Sequence, residues 1–276
     1  MKRFLVILVL IVMLFSVCAC SNIPSTRFMS RTKVNSLVKK YGTPQAELTI
    51  NYTINNKNYE IKVTYDLLLS QAPLSVVRFI QLANEGFYDE SVVDTYNSTY
   101  NYMILGRYSY KDSTVNNGKS FYVNQSATSD VTFKGEFASN EYREPSEGYA
   151  QFSIFSLAMY HDEYKNENET NFDSANGALI LATSNKTLNS NNYAVFATMT
   201  EMSYKVGDSD PVENKKVIAD ALANLVSFTS KTSTRKIYTD STEQTTIPSF
   251  SMMNQIVTIH VKILGDYDWS KLPQIG

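Results

Sequence analysis

Alternation of apolar and polar residues along the chain predicts a mainly β protein. Residues 47–54 and 59–65 both alternate, and the polar stretch 55–58 between them indicates a β-hairpin. Further apolar runs, typical of short buried strands, lie at residues 102–106, 152–159, 178–182, 193–197 and 255–264. Many short strands in one chain are typical of a closed or nearly closed antiparallel barrel.

Two segments carry a helical period instead, and we expect these two helices to cap the barrel. The first begins at Pro73, a residue suited to the first helical turn, and ends at Gly86. The second follows Asp210 and Glu213, which have the spacing of an N-terminal capping box. This helix belongs to an insertion at about 203–250, whose second half is rich in Ser and Thr.

The N-terminus has the features of a bacterial lipoprotein signal. Lys2 and Arg3 precede an apolar run over residues 4–15, which is too short for a comfortable membrane span. Residues 17–20 read Val-Cys-Ala-Cys, which resembles the motif at which a lipoprotein is cut and its Cys is diacylated. We therefore predict a signal peptide at 1–19 and an extracytoplasmic protein anchored to the bacterial cell membrane by lipidated Cys20. The alternatives are an uncleaved anchor and an ordinary secreted protein.

Residues 20–46 are predicted to form a basic tether that leads to a domain at 47–276. This region has five basic residues and no acidic residue before Glu47, which follows it, and Ser, Thr and Asn are frequent. Basic groups close to a membrane attract anionic headgroups, at about 1 kcal/mol each. The alternative is a solvated linker whose charges have no partner.

Composition excludes several function classes. The chain has two Cys and two His, too few for a Cys/His zinc site or a disulfide framework. It lacks the glycine-rich motifs that bind nucleotides, and its net charge of −2 gives no basic field for nucleic acid. We therefore expect no cofactor, no metal and no nucleic-acid partner. His161, in a polar loop, is expected to be solvated, and His260, on the last strand, to be structural.

The order of several motifs resembles that of the cyclophilin-type peptidyl-prolyl isomerases. Residues 59–89 carry an Ile-x-Val strand, then Ala-Pro-x-Ser-Val, Phe-Ile-x-Leu and Gly-Phe-Tyr-Asp, as that family does. Weaker matches follow in the same order at residues 102–106, 135–137, 157–159, 174–181 and 188–196. The resemblance covers roughly residues 47–202 and the final strand. It implies a cyclophilin-like closed barrel that binds extended, proline-containing polypeptide.

Isomerisation of an X-Pro bond needs an apolar pocket for the ring and a donor aimed at the imide nitrogen. Rotation about the bond faces a barrier of about 18–20 kcal/mol because amide resonance is lost. The nitrogen lone pair becomes basic only in the twisted state, so a donor there stabilises the transition state selectively.

The resemblance places Thr95 where cyclophilins carry their catalytic Arg. It also places Leu105 where they carry the Gln that orients this Arg. A neutral hydroxyl cannot replace a charged guanidinium, so we expect isomerase activity to be weak or lost. Arg107, two residues beyond Leu105, is a candidate substitute donor.

The resemblance also outlines a peptide-binding groove. Ala178 stands where the family has Gln, and Ile180 where it has a pocket Phe. The full set of predicted groove residues is Tyr102, Met103, Leu105, Ala178, Ile180, Leu188 and Tyr193. The alternative interpretation is that the apolar members are barrel core.

Three functions remain open at this point. The first is an isomerase-like lipoprotein that binds polypeptide, with weak or lost activity. The second is a non-catalytic, peptide-binding or chaperone-like lipoprotein on the same fold, and the third is a surface interaction or solute-binding lipoprotein. A peptide groove predicts a concave apolar patch around Met103 and Ile180, whereas an adhesin predicts exposed aromatic residues elsewhere. Nothing in the sequence predicts the oligomeric state.

Overall fold

The computed structural model describes residues 27–275, apart from gaps that are each one to seven residues long. The gaps are 113–117, 125–131, 144, 146–147, 162–163, 167–168, 176, 186–187, 230–231, 234–236, 239–243, 246–251 and 254–255. The predicted signal peptide and Cys20 lie outside the described residues, as does most of the Ser/Thr-rich half of the insertion.

Three α-helices and fifteen strands are assigned within the described part of the chain. The helices are α1 (Arg31–Tyr41), α2 (Pro73–Asn84) and α3 (Lys215–Thr229). The strands are β1 (Gln45–Ile54), β2 (Lys57–Leu67), β3 (Ser91–Asn97), β4 (Tyr102–Asp112), β5 (Lys119–Val123), β6 (Leu157–Met159), β7 (Tyr164–Asn166), β8 (Glu169–Thr170), β9 (Leu179–Ala182), β10 (Val195–Val206), β11 (Thr232–Ser233), β12 (Ile237–Tyr238), β13 (Gln244–Thr245), β14 (Met252–Met253) and β15 (Val257–Leu264).

The predicted closed antiparallel barrel is confirmed. Its strands follow the order β4-β3-β15-β1-β2-β10-β6-β9, and β9 pairs back onto β4 to close the ring. Strands β5, β12 and β13 continue the sheet outward from β4. The first strand, β1, lies between β2 and the last strand, β15. Ile61 and Val63 are as completely buried as Val257 and Ile259, as closure between these strands requires.

The β1–β2 hairpin shows how local sequence sets the register. Asn55 and Asn56 form a two-residue turn, because Ile54 pairs directly with Lys57. Both Asn residues have positive φ, 49° and 61°, as a type I′ turn needs. Asn is one of the few residues that tolerates this conformation. The turn predicted at 55–58 is therefore formed by Asn55 and Asn56 alone, since residues 57 and 58 already pair in β2.

Helix α2 begins at Pro73, as predicted, and is capped by a side chain far away in the sequence. Glu136 Oε1 accepts a hydrogen bond from the backbone N–H of Leu74 at 2.9 Å. Its Oε2 accepts from the backbone N–H of Ser75 at 2.9 Å and from the Ser75 hydroxyl at 3.1 Å. Glu136 is buried, and burial raises the pKa of its carboxyl to about 8 although these three donors oppose the rise.

Helix α3 begins later than the sequence predicts. Its N-terminal cap is Asn214, whose Oδ1 accepts from the backbone N–H of Lys216 at 2.9 Å. The predicted capping box of Asp210 and Glu213 is therefore wrong. The reason is that Val212 still pairs with Tyr204 of β10, which leaves the chain extended up to that point.

Part of the predicted tether is a helix packed on the barrel. In α1, residues Val34, Leu37 and Tyr41 are buried, and the ring of Tyr41 stacks on Trp269 with centroids 5.3 Å apart. The prediction of a tether that extends to residue 46 is therefore wrong from Arg31 onward. No helix among the described residues is long and apolar enough to cross a membrane.

Candidate functional site

Strands β3 and β4 bring Asp94, Thr95 and Arg107 together. Arg107 Nε donates to Asp94 Oδ2 at 2.7 Å, and its Nη2 donates to Asp94 Oδ1 at 3.2 Å. The same Nη2 donates to Thr95 Oγ1 at 3.1 Å. A guanidinium from the neighbouring strand therefore lies against Thr95, the residue at the predicted Arg position.

Irregular pairing between β3 and β4 produces this arrangement. From Val93 to Thr95 the partner on β4 moves by only one residue, from Leu105 to Ile104, so Asp94 is an extra residue in the ladder. From Ser91 to Val93 the partner moves by four residues, from Ser109 to Leu105. Bulges of this kind re-aim side chains, and they are common beside active sites.

The two faces of β4 contact different cores. Met103 and Leu105 are fully buried in the barrel interior. Tyr102 and Ile104 belong to a second apolar cluster, which we call the outer cluster: Tyr102, Ile104, Phe152, Ala158, Ile180, Ala182, Tyr193 and Val195. Tyr160 packs against this outer cluster and also against Arg107, whose Cζ lies 5.4 Å from the centroid of the Tyr160 ring.

Burial and pairing act in opposite directions on the pKa values of this pair. Burial raises the pKa of the Asp94 carboxyl, and the attraction and hydrogen bonds of Arg107 and Thr95 oppose the rise. Burial alone would lower the pKa of Arg107, but the Asp94 carboxylate outweighs it and holds that pKa above its ordinary value. Arg107 is therefore charged, and 21% of its side chain remains exposed whereas none of Asp94 does.

The structure separates the predicted groove residues. Tyr102, Ile180 and Tyr193 lie together in the outer cluster, with Leu188 packed against it. Ala178 is buried as well. Met103 and Leu105 are wrong as groove residues, because they point into the barrel interior.

The predicted concave patch around Met103 and Ile180 is also wrong. Neither side chain is exposed. The neighbouring Phe152 and Tyr193 pack with Ile180 in the outer cluster, which leaves the surface at this point closed.

The structure contradicts the expectation for His161. His161 is buried, not solvated: its ring stacks on Phe137 and Tyr193, with centroids 5.0 Å and 4.5 Å away. Its Nε2 lies 2.8 Å from the carbonyl oxygen of Asn192. His260 is exposed, and its Nδ1 lies 2.7 Å from Asp89 Oδ1.

Two large cavities lie away from Arg107. One, of about 580 Å³, lies beside the irregular pairing of β10 with β2 and is lined by residues that include Lys62, Met199 and Glu201. The other, of about 650 Å³, lies at the β1–β2 turn and is lined by residues that include Tyr59 and Tyr110. In the described part of the chain, no three His, Cys, Asp or Glu side chains are grouped closely enough to hold a metal ion.

Comparison with known proteins decides the family. The model of the cyclophilin type peptidyl-prolyl cis-trans isomerase/CLD family matches residues 50–216, more than half of the chain. The chain belongs to the cyclophilin-type peptidyl-prolyl isomerase family. The predicted resemblance is therefore confirmed. The family match ends before β15, the strand that completes the cyclophilin-like barrel here by pairing with β1.

Solved structures include similar chains. A cyclophilin type peptidyl-prolyl cis-trans isomerase from Cryptosporidium parvum aligns with a TM-score of 0.39 and 11% identity, covering 82% of this chain and 99% of that one. The same isomerase in the presence of the dipeptide Ala-Pro aligns with a TM-score of 0.35 and 9% identity, covering 79% and 99%. No curated protein matched the chain.

Sequence reasoning missed Asp94 as a site residue, although a signal was present. Asp94 follows two apolar residues, Val92 and Val93, at the start of a strand. A carboxylate in a buried strand requires a cationic or hydrogen-bonding partner. Arg107 lies on the adjacent strand within reach, so the pair could have been proposed before the geometry was known.

Proposed function

We propose that this protein is an extracytoplasmic, isomerase-like lipoprotein that binds extended, proline-containing polypeptide and has weak or lost isomerase activity. Family membership supports polypeptide as the class of ligand. The observation that carries the proposal is the position of Arg107, whose guanidinium hydrogen-bonds Thr95 at the predicted Arg position. Any residual isomerisation then depends on Arg107 as the donor to the twisted imide nitrogen.

Two features of the site argue for a low rate. The Asp94 carboxylate, 2.7 Å from Arg107 Nε, offsets the charge that would stabilise the transition state. The apolar side chains that would grip a proline ring, Ile180 among them, are buried in the outer cluster. A substrate must therefore displace covering side chains before an apolar pocket is available.

The rate test compares the wild type with Arg107→Ala. We expect the wild type to isomerise a short X-Pro peptide far more slowly than a cyclophilin that retains its Arg. In Arg107→Ala the residual rate should fall about 10²–10³-fold or to background, because one well-placed donor is worth about 3–4 kcal/mol. Exchange NMR on the peptide measures the rate, and chemical-shift changes in the same samples measure binding.

An exposed arginine, Arg143, provides the matched control, since Arg143→Ala should leave both readouts unchanged. Equal rates in the wild type and Arg107→Ala would remove Arg107 from the mechanism. Absence of peptide binding in both would contradict the polypeptide assignment itself. Binding without measurable turnover would favour the second candidate, a non-catalytic peptide-binding lipoprotein. The Asp94 carboxylate, which offsets the charge of Arg107, already favours this candidate.

Lipid anchoring is supported by the basic pair, the apolar run and the Val-Cys-Ala-Cys motif. We expect Cys20→Ala to lose fatty-acid labelling and either to be released or to stay unprocessed. Cys18→Ala should keep both labelling and membrane association, which makes it the matched control. Metabolic labelling with a radioactive fatty acid measures the difference. Unchanged acylation of Cys20→Ala would contradict the anchor.

A further inference from the structure

The solvent-facing side of α1 is basic. Arg31, Lys39 and Lys40 are exposed on this helix, and its buried side, with Val34 and Leu37, faces the barrel. No acidic residue occurs between residues 21 and 46. The exposed surface of this helix therefore carries charge of one sign only.

One exposed and one partly buried aromatic side chain adjoin the C-terminal end of α1. Tyr267 is 45% exposed, and its ring lies 5.7 Å from that of Tyr41. Trp269 is partly buried; its ring stacks on Tyr41, 5.3 Å away, and is tilted against the ring of Tyr267, 5.1 Å away. We call Arg31, Lys39, Lys40, Tyr267 and Trp269 the α1 patch.

Acidic groups near the α1 patch only partly offset its charge. Asp268 lies between the two aromatic residues and pairs with Lys271, at 2.7 Å. Asp266 is exposed. The patch therefore keeps a positive surface beside aromatic rings.

The α1 patch lies close to the proposed lipid anchor. Ten residues separate Cys20 from Arg31, and ten extended residues span at most about 35 Å. A lipidated Cys20 would therefore keep the start of α1 within about 35 Å of the membrane, and α1 is the described helix nearest to Cys20 along the chain. A surface that carries Lys, Arg, Tyr and Trp matches the headgroup region of a bilayer, where basic side chains meet anionic lipid and amphipathic rings are enriched.

We propose that the α1 patch docks on anionic lipid headgroups and fixes the orientation of the barrel against the membrane. This inference rests on the proposed lipidation of Cys20, which supplies the high local concentration. Docking then adds a second contact, so that the barrel is held at a defined orientation and not at the end of a free tether.

Trp269 is the single tryptophan of the chain, so its fluorescence reports on the α1 patch directly. The experiment uses the protein purified in detergent from a bacterial host that processes lipoproteins, reconstituted with vesicles of zwitterionic lipid, with and without one-third anionic lipid. Each vesicle preparation contains a headgroup-labelled quencher. We expect Trp269 to be quenched, and its emission to shift to shorter wavelength, only when anionic lipid is present.

Replacement of Arg31, Lys39 and Lys40 by Gln should weaken docking about a hundredfold, since each basic group contributes about a factor of five. The matched control replaces three exposed lysines outside the patch, Lys57, Lys111 and Lys216, by Gln and should keep the response. Both variants change the charge by the same amount, so a general charge effect would appear in both.

Co-flotation with zwitterionic vesicles measures the anchor separately. If the protein fails to float, the lipid anchor is wrong. If it floats but Trp269 gives no response to anionic lipid, the docking proposal is overturned while the anchor stands. An equal response to soluble polyphosphate would also overturn it, because the patch would then recognise a free polyanion and not a membrane surface.

Discussion

Raising the pH from about 4.5 to about 8.5 is expected to lower the free energy of unfolding by about 4 kcal/mol through Glu136 alone. The pKa of this carboxyl is about 8 in the folded protein, against an ordinary value of 4.5. Between these values the folded state binds more protons than the unfolded state, so stability falls as pH rises. The contribution is complete below pH 4.5 and is lost through pH 8. Urea unfolding at a series of pH values measures it.

Glu136→Gln tests the assignment because the amide does not titrate. We expect this variant to lack the Glu136 part of the pH dependence. It should also be less stable at low pH, since its NH₂ group faces a backbone N–H of Leu74 or Ser75. Glu141→Gln, at an exposed neighbouring position, is the matched control and should follow the wild type. Parallel curves for the wild type and Glu136→Gln would show that Glu136 does not control this transition.

The second large effect is expected at Asp94. Asp94→Ala leaves Arg107, which is mostly buried, without its carboxylate, and should lower the free energy of unfolding by about 3–5 kcal/mol. The double variant Asp94→Ala, Arg107→Ala should be more stable than Asp94→Ala alone, because no buried guanidinium then remains without a carboxylate. Urea unfolding of the four proteins of this cycle measures the coupling. Additive losses would mean that the two side chains do not stabilise each other.

The same pair gives a kinetic readout that a purely structural role would not change. Asp94→Asn keeps a hydrogen-bond acceptor for Arg107 but removes the negative charge. If the carboxylate suppresses the reaction, the isomerisation rate per folded molecule should rise in this variant. An unchanged rate would indicate that the closed outer cluster, and not the Asp94 carboxylate, limits isomerisation.

The structure also guides any attempt to restore activity. Leu105 faces the barrel interior, so a Gln at that position would bury an amide and could not orient an Arg at position 95. Thr95→Arg alone would place a second guanidinium beside Asp94. A useful restoration therefore changes Thr95 and Arg107 together and leaves Leu105 in place.

Hydrophobic patterning was enough to predict the β1–β2 hairpin, α2 and the final strand, because each carries a regular period bounded by turn or cap residues. It was not enough for α1. That helix buries only three side chains, Val34, Leu37 and Tyr41, within a polar and basic sequence. Its stability comes from packing against the barrel and Trp269, and local propensity does not report such a contact.

The contact of Arg107 with Asp94 and Thr95 could not be predicted from the hydrophobic pattern, for a different reason. On an unbroken strand Met103, Leu105 and Arg107 would share one face, and Arg107 would point into the barrel. The irregular pairing of β3 and β4, with Gly106 at a φ of 88°, breaks this alternation. A bulge depends on how two strands pair, so one strand's sequence does not reveal it. The buried position of His161 likewise depends on loops that meet only in the folded chain.

The position of β15 between β1 and β3 has a consequence for how the protein is made. The barrel cannot close until residue 264 of a 276-residue chain is available. A chain that emerges N-terminus first therefore exposes the open edge of β1 during most of its synthesis. Contacts that join residues 45–52 to 257–264 also have a very large sequence separation, which is associated with slow folding. That edge consequently stays unpaired until residues 257–264 arrive, and a truncation that removes β15 would leave a barrel that cannot close.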